Sequence, residues 1–218
     1  AFDTFFSFFD ISNHIINKLD KQVALPSKVR FNDGKTDGYG RFWCGTMSES
    51  NPSKPDGALY MINNKLEIHE IVKGIHISNS ITSSLDNRFL FYADTYKKLI
   101  FKADLNNKKP HLDKSRVIID NKNLKGFPDG STIDKDGCLW NAEWNGGQVV
   151  QYDEVGKIIN TMKTPMKKPT CVAFGGLNMN KLFITSAQDN NNDQDDISGK
   201  TICIDTKVKG LYSNRFYI

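Results

Sequence analysis

The chain has 218 residues, with 29 Lys and Arg against 25 Asp and Glu, for a net charge of +4. Hydrophobic residues at 39% and aromatics at 11% suffice for a sizeable core, which excludes a disordered chain and suggests one large domain or two small ones. Lysine pairs such as Lys97-Lys98 and Lys167-Lys168 stand in turn-like stretches, and no basic stripe carries interleaved aromatics, so no nucleic-acid partner is expected.

The four cysteines, Cys44, Cys138, Cys171 and Cys203, lie far apart without C-x-x-C spacing. That argues against a zinc ribbon and against a dense cystine framework. Buried thiols in a reducing compartment are expected, and with them a cytoplasmic location. No run of 18 apolar residues occurs, so no membrane partner is expected.

In chain order, the N-terminal "AFDTFFSFFD" alternates like a strand, carries Asp3 and Asp10, and lacks a basic leader, so it does not read as a signal peptide. Next comes "RFNDGKTDGYGRFWCGTM", Arg30 to Met47, in which a polar first half precedes the apolar strand opening at Phe42. Asp33 there reads as a turn residue that supports the loop. No window of 11 or more residues sustains the i, i+3, i+4 pattern of an amphipathic helix. Short β-rich runs recur instead. "FWCGT" at Phe42, "LFYAD" at Leu90, "LWNAE" at Leu139 and "LFITS" at Leu182 follow one another at steps of 48, 49 and 43 residues. Each has a turn before it and a partner strand after it, beginning at Gly57, Lys98, Gly147 and Lys200. Several short strands per unit at this period predict the blades of a β-propeller.

Some 10 to 12 residues before each of those strands stand Asn32, Asn79, Asp129 and Thr170. Each opens what would be the innermost strand of its blade. Innermost strands line the central channel, so the repeat predicts that two amides, a carboxylate and a hydroxyl gather at one mouth. Such a set of oxygens suits a hard divalent cation, Ca²⁺ first; a polar, water-filled channel is the other reading. Arg30 and Asn32 are then polar because they face the mouth.

Other features point nowhere. "DNNNDQDDISGK", Asp189 to Lys200, has the acid and amide density of an EF-hand loop. However, it places Gln194 where Gly is needed and Lys200 where a bidentate Glu belongs, so a solvated loop is expected. The four histidines show no ligand spacing, although His76 stands three residues before Asn79. No G-x-S-x-G elbow is present, which disfavours serine hydrolysis.

"RFNDGKTDGYGRFWCGTM", "GIHISNSITSSLDNRFLFYADT", "GFPDGSTIDKDGCLWNAEWNGGQVVQYD" and "PTCVAFGGLNMNKLFITSA" resemble four successive signature segments of the SMP-30/gluconolactonase/luciferin-regenerating-enzyme family, also called regucalcin-like. The closing "VKGLYSNRF" resembles that family's C-terminus, and the likeness covers nearly the whole chain. The resemblance implies an all-β, six-bladed propeller with one divalent metal on its axis: Ca²⁺, or alternatively Zn²⁺, Mn²⁺ or Mg²⁺. It implies that Asn79 and Asp129 hold the metal and that Arg30 and Asn32 bind hydroxyls of a small-molecule lactone. Glu49 is the candidate for a carboxylate that some members add after "GTM".

Six blades need about 270–300 residues, and residues 1–29 contain no glutamate to match the family's first-blade metal ligand. The expectation is therefore a partial propeller over 1–218, with N-terminal blades missing and unpaired strand edges through which chains could self-associate. In the leading reading, Asp129 both holds the metal and takes the proton from attacking water as a gluconolactonase-like lactonase opens its substrate. A phosphotriesterase at the same metal site, and a truncated non-catalytic propeller that binds metal or ligand, are the alternatives.

Overall fold

Apolar residues run almost without a break through the middle strands of each recurring unit, and because successive side chains leave a strand on opposite faces, both faces are buried. A computed structural model describes residues 1–105, 111–188 and 197–217. Among them every named element is a strand. A hairpin of β1 (Ser7–Asp10) and β2 (Ile15–Lys18) comes first. The first blade holds β3 (Val29–Thr36), β4 (Phe42–Ser48), β5 (Gly57–Ile62) and β6 (Ile68–Ile75). The second holds β7 (Ser78–Ser83), β8 (Phe89–Asp94), β9 (Leu99–Leu105) and β10 (Leu112–Asp120). The third holds β11 (Phe127–Ile133), β12 (Leu139–Trp144), β13 (Gln148–Tyr152) and β14 (Ile158–Lys163). The fourth holds β15 (Pro169–Gly175), β16 (Lys181–Ser186) and β17 (Thr201–Asp205). Each blade is an antiparallel meander, as the repeat predicted. The described residues make four blades and a hairpin, which is fewer than the six expected from the resemblance.

The core lies between blades. Trp43, Leu59 and Met61 of the first blade pack on Ile81, Leu90 and Tyr92 of the second. Phe91, Ala93 and Ile100, on the second blade's other face, meet Ile133, Leu139 and Val150 of the third. Trp140, Ala142 and Val149 then meet Val172, Leu182 and Ile184 of the fourth. Each fully buried aliphatic side chain contributes roughly 1.5–3 kcal/mol. At the open end, Phe183 stands 38% exposed on the outer face of β16. At the other end, Phe6 and Leu19 cover the first blade at Phe31, Cys44 and Tyr60.

Two hairpins are pinned by the same device. Asp37 accepts from Trp43 Nε1 at 2.7 Å and from Arg41 Nε at 2.8 Å. In the third blade Asp134 accepts from Trp140 Nε1 at 2.7 Å and Gln151 Nε2 at 3.0 Å, and its other oxygen takes the backbone N–H groups of Asp136 and Cys138. Each carboxylate is buried and meets its donors as it closes the turn.

The innermost strands β3, β7, β11 and β15 pack side by side and set the positions of the candidate site. The expected burial of the thiols holds only in part: all four are free, Cys44 is buried, and Cys203 is exposed, because β17 turns it to the open face of the last blade. The acidic loop expected over 189–200 lies outside the described residues from 189 to 196. Among the described residues no helix is long and apolar enough to cross a membrane.

Candidate functional site

Every innermost strand breaks register near its mouth residue. The shifts fall between Phe31 and Gly34, Asn79 and Thr82, Pro128 and Ser131, and Pro169 and Cys171. A bulge bends the strand and re-aims the side chains around it. At the second of these, Ser80 takes φ +54°, a left-handed backbone that a residue with a Cβ seldom adopts.

Three of the four positions read from the repeat are drawn together. Asn32 Nδ2 donates across the blade boundary to Asn79 Oδ1 at 2.9 Å and to Ser78 O at 3.0 Å. Asn79 is buried, and its own Nδ2 donates to Thr95 Oγ1 at 2.9 Å. Thr95 Oγ1 in turn donates to Pro128 O at 2.7 Å, beside Asp129. The backbone carbonyl of Asp129 accepts from Ser80 Oγ at 2.7 Å and Asn141 Nδ2 at 3.0 Å, so the second blade also holds the third at this level. Thr170 does not join them: its hydroxyl pairs with Thr185 Oγ1 at 2.8 Å within its own blade.

Arg30 spreads over its neighbours. Its Nη1 donates to Phe31 O at 2.8 Å and Asn32 Oδ1 at 3.1 Å, and its Nε faces Glu49 Oε1 at 3.3 Å. The pairing places Glu49 beside Arg30, one of the two residues expected to meet substrate. His76 turns away into a pair with Asp94, Nδ1 to Oδ2 at 2.8 Å, and stacks on Tyr96.

Asp33 is more than the turn residue expected. It lies within β3, where the bulge sends its Oδ2 to accept from the Ile81 N–H of the second blade at 3.0 Å. Burial raises its carboxyl pKa above the ordinary value, with the Ile81 N–H and the Lys35 ammonium opposing. Asp129 is raised well above the ordinary value, chiefly by burial and next by the charge of Asp33, against the Gly130 N–H. Two half-buried carboxylates thus stand in each other's field. "NDG" reads locally as a turn, and the only signal for Asp33 was its place one residue after the mouth position. The nearby thiols are poor nucleophiles: burial pushes Cys44 up to about 12 and Cys171 to about 11. A cavity of about 360 Å³ opens beside Asn32 and Asp33, floored by Phe31 and Cys44.

The donor chemistry fits a hard divalent cation. Asn79 Oδ1 keeps a lone pair beyond the one Asn32 uses, and the Asp129 and Asp33 carboxylates repel each other in a way that a cation would relieve. All are oxygens, the ligands that Ca²⁺ and Mg²⁺ take. Among the described residues no group of three or more His, Cys, Asp or Glu comes together, so amide oxygen is part of any set these residues can offer.

Four antiparallel blades with their innermost strands side by side make this a propeller-type protein with a polar site at one mouth. The family model described as the SMP-30/gluconolactonase/LRE-like region matches residues 2–188, and the chain belongs to that family. It is 40% identical over 164 residues to an uncharacterized protein of Sulfolobus acidocaldarius, covering 75% of this chain and 59% of that one. It is 36% identical over 186 residues to regucalcin of Danio rerio, covering 84% and 63%. The chain therefore spans less than two thirds of the length of these curated relatives. Among solved structures it resembles regucalcin of Agrobacterium tumefaciens, described as a calcium-binding protein, with TM-score 0.89 and 29% identity over 99% of this chain and 74% of that one. A luciferin-regenerating enzyme superposes with TM-score 0.83 at 26% identity, covering 94% and 70%.

Proposed function

We propose that this chain carries most of the site of a divalent-metal-dependent hydrolase that opens a sugar or related small lactone. The bond from Asn32 to Asn79 carries the reading: it joins a residue suited to substrate hydroxyls directly to one suited to a metal, across two blades. The calcium-binding description of the Agrobacterium relative makes Ca²⁺ the first ion to test. We also propose that the four blades belong to a six-bladed ring. The exposed outer face of the fourth blade at Phe183 supports that geometry.

When bound, a divalent ion supplies Lewis-acid polarisation of the lactone carbonyl and lowers the pKa of water. The rest falls to the chain. Asn79 presents a neutral amide oxygen, which adds no charge to a site that must accept a carbonyl. Asp129, once ionised, receives the proton of the attacking water. Arg30 and Asn32 hold ring hydroxyls: the guanidinium is a rigid fork of donors already braced by Glu49, and the amide can both donate and accept. Bulged backbone keeps these side chains in place before substrate arrives.

The test is hydrolysis of a panel of sugar lactones by the full-length protein with Ca²⁺, Zn²⁺, Mn²⁺ and Mg²⁺ in turn, against the metal-stripped protein. Metal-dependent turnover of at least one lactone is expected. Metal binding without turnover of any lactone would overturn the enzymatic reading in favour of a binding propeller.

A further inference from the structure

The worth of Asn79 as a ligand depends on which end of its amide faces the mouth, and a residue outside the site decides that. Pro128 O is a carbonyl and can only accept. Thr95 Oγ1 lies 2.7 Å from it, so the hydroxyl proton of Thr95 is committed there. The hydroxyl oxygen then has only lone pairs to offer. Asn79 Nδ2, at 2.9 Å, donates into them, and with the NH₂ end held, Oδ1 is the end left facing Asn32. Thr95 and Asn79 are both buried, so water does not compete freely for these groups. Donation runs from the side-chain amide through the hydroxyl to the backbone carbonyl and does not reverse without leaving a buried group unpaired.

We infer that Thr95 is a positioning residue for the metal site: it sets the amide orientation of Asn79 and ties that residue to the backbone beside Asp129. This rests on the metal-dependent reading above. Thr95 is reached from the second blade through β8, whereas Pro128 belongs to the third. This hydroxyl, with that of Ser80, therefore also ties together the two blades that supply Asn79 and Asp129. Outer partners of this kind alter metal affinity by roughly 10–100-fold when removed.

The experiment uses the full-length protein with Thr95→Val, Thr95→Ser and Thr95→Ala, and reads Ca²⁺ binding by calorimetry alongside the melting temperature of each metal-free protein. Thr95→Val is expected to weaken Ca²⁺ by roughly 10–100-fold, because Asn79 can then present its NH₂ end. Thr95→Ser, which keeps the hydroxyl, is expected to bind within about threefold of wild type. Thr95→Ala leaves room for a water in place of the hydroxyl and should fall between them; it is the variant to read should Val prevent folding. A lowered melting temperature with unchanged Ca²⁺ affinity in the Val or Ala variant makes Thr95 merely structural and overturns the inference. Failure of the wild type itself to bind Ca²⁺, Zn²⁺ or Mn²⁺ overturns instead the metal reading on which it stands.

Discussion

Asn32 Nδ2 sits 2.9 Å from Asn79 Oδ1, so an exposed amide of the first blade is tied to a buried amide of the second. Truncating Asn32 to Ala removes this bond and the one to Ser78 O. The acceptors left behind belong to the buried residues Ser78 and Asn79, reached by water only from the mouth, and a melting-temperature loss of about 2–6 °C is expected. For a sugar lactone KM should rise by roughly tenfold with little change in kcat, the pattern of binding shared by ground and transition states. An unchanged KM removes Asn32 from the substrate site.

Asp129→Asn keeps the shape of the side chain, and the backbone bonds that Ser80 and Asn141 make to residue 129 do not involve it. The fold should survive. Lactone hydrolysis should drop by about two or more orders of magnitude, the range for a lost general base, before weaker metal binding is counted. Arg30→Ala should act differently, raising KM more than it lowers kcat. Steady-state kinetics at saturating metal separates the two, and wild-type turnover in the Asn variant with every metal would refute the role given to Asp129.

Asp134 predicts a stability effect without a functional one. Replacing it with Ala strands the buried donors Trp140 Nε1 and Gln151 Nε2, and leaves the half-buried N–H groups of Asp136 and Cys138 to water. At about 1–3 kcal/mol for each of the two buried donors left unsatisfied, partly relieved by relaxation, the expected loss is about 2–4 kcal/mol. Urea unfolding measures it. Ca²⁺ affinity of the folded fraction should remain at the wild-type value, since the carboxylate closes a turn well down the strand from the mouth.

The strands opening near Phe42, Leu90, Leu139 and Leu182 were legible because each needs apolar residues on both faces and a turn at its start. These are local properties, and the repeat then placed Asn32, Asn79 and Asp129 together. Asp33 was not legible. Its segment has the composition of a turn, and only the bulge between Phe31 and Gly34 reveals that its carboxylate reaches Ile81. Thr170 failed for the opposite reason: equivalent by spacing, it found Thr185 as a nearer partner. Nor could Thr95 be seen, because its partners Asn79 and Pro128 are brought together only by the packing of two blades. Spacing predicts which backbone positions coincide, whereas hydrogen-bond partners depend on where the side chains are aimed.

Glu143 predicts a pH dependence. It is fully buried on β12; Oε1 accepts from Asn121 Nδ2 at 2.8 Å and Tyr152 Oη at 3.4 Å, while Oε2 has no partner among the described residues. Burial raises its carboxyl from the ordinary 4.5 to about 7, against the opposing hydrogen bond from Tyr152 and the Lys98 charge. Below pH 4.5 both folded and unfolded chains hold the proton, and the carboxyl adds no pH dependence. Between 4.5 and about 7 the folded chain binds a proton that the unfolded chain has released, so stability falls as pH rises. Above that window the loss levels off at roughly 3 kcal/mol. Glu143→Gln removes the titration while keeping the shape. Urea midpoints at pH 5, 6, 7 and 8 should show the variant close to wild type at pH 5 and increasingly more stable toward pH 8. Exposed carboxylates such as Asp86 and Glu67 are shifted downward and act in the opposite sense at lower pH. They are present in both proteins and cancel in the difference. Parallel curves for the two proteins across this range would show that folding leaves the Glu143 carboxyl unshifted and would refute the effect assigned to its burial.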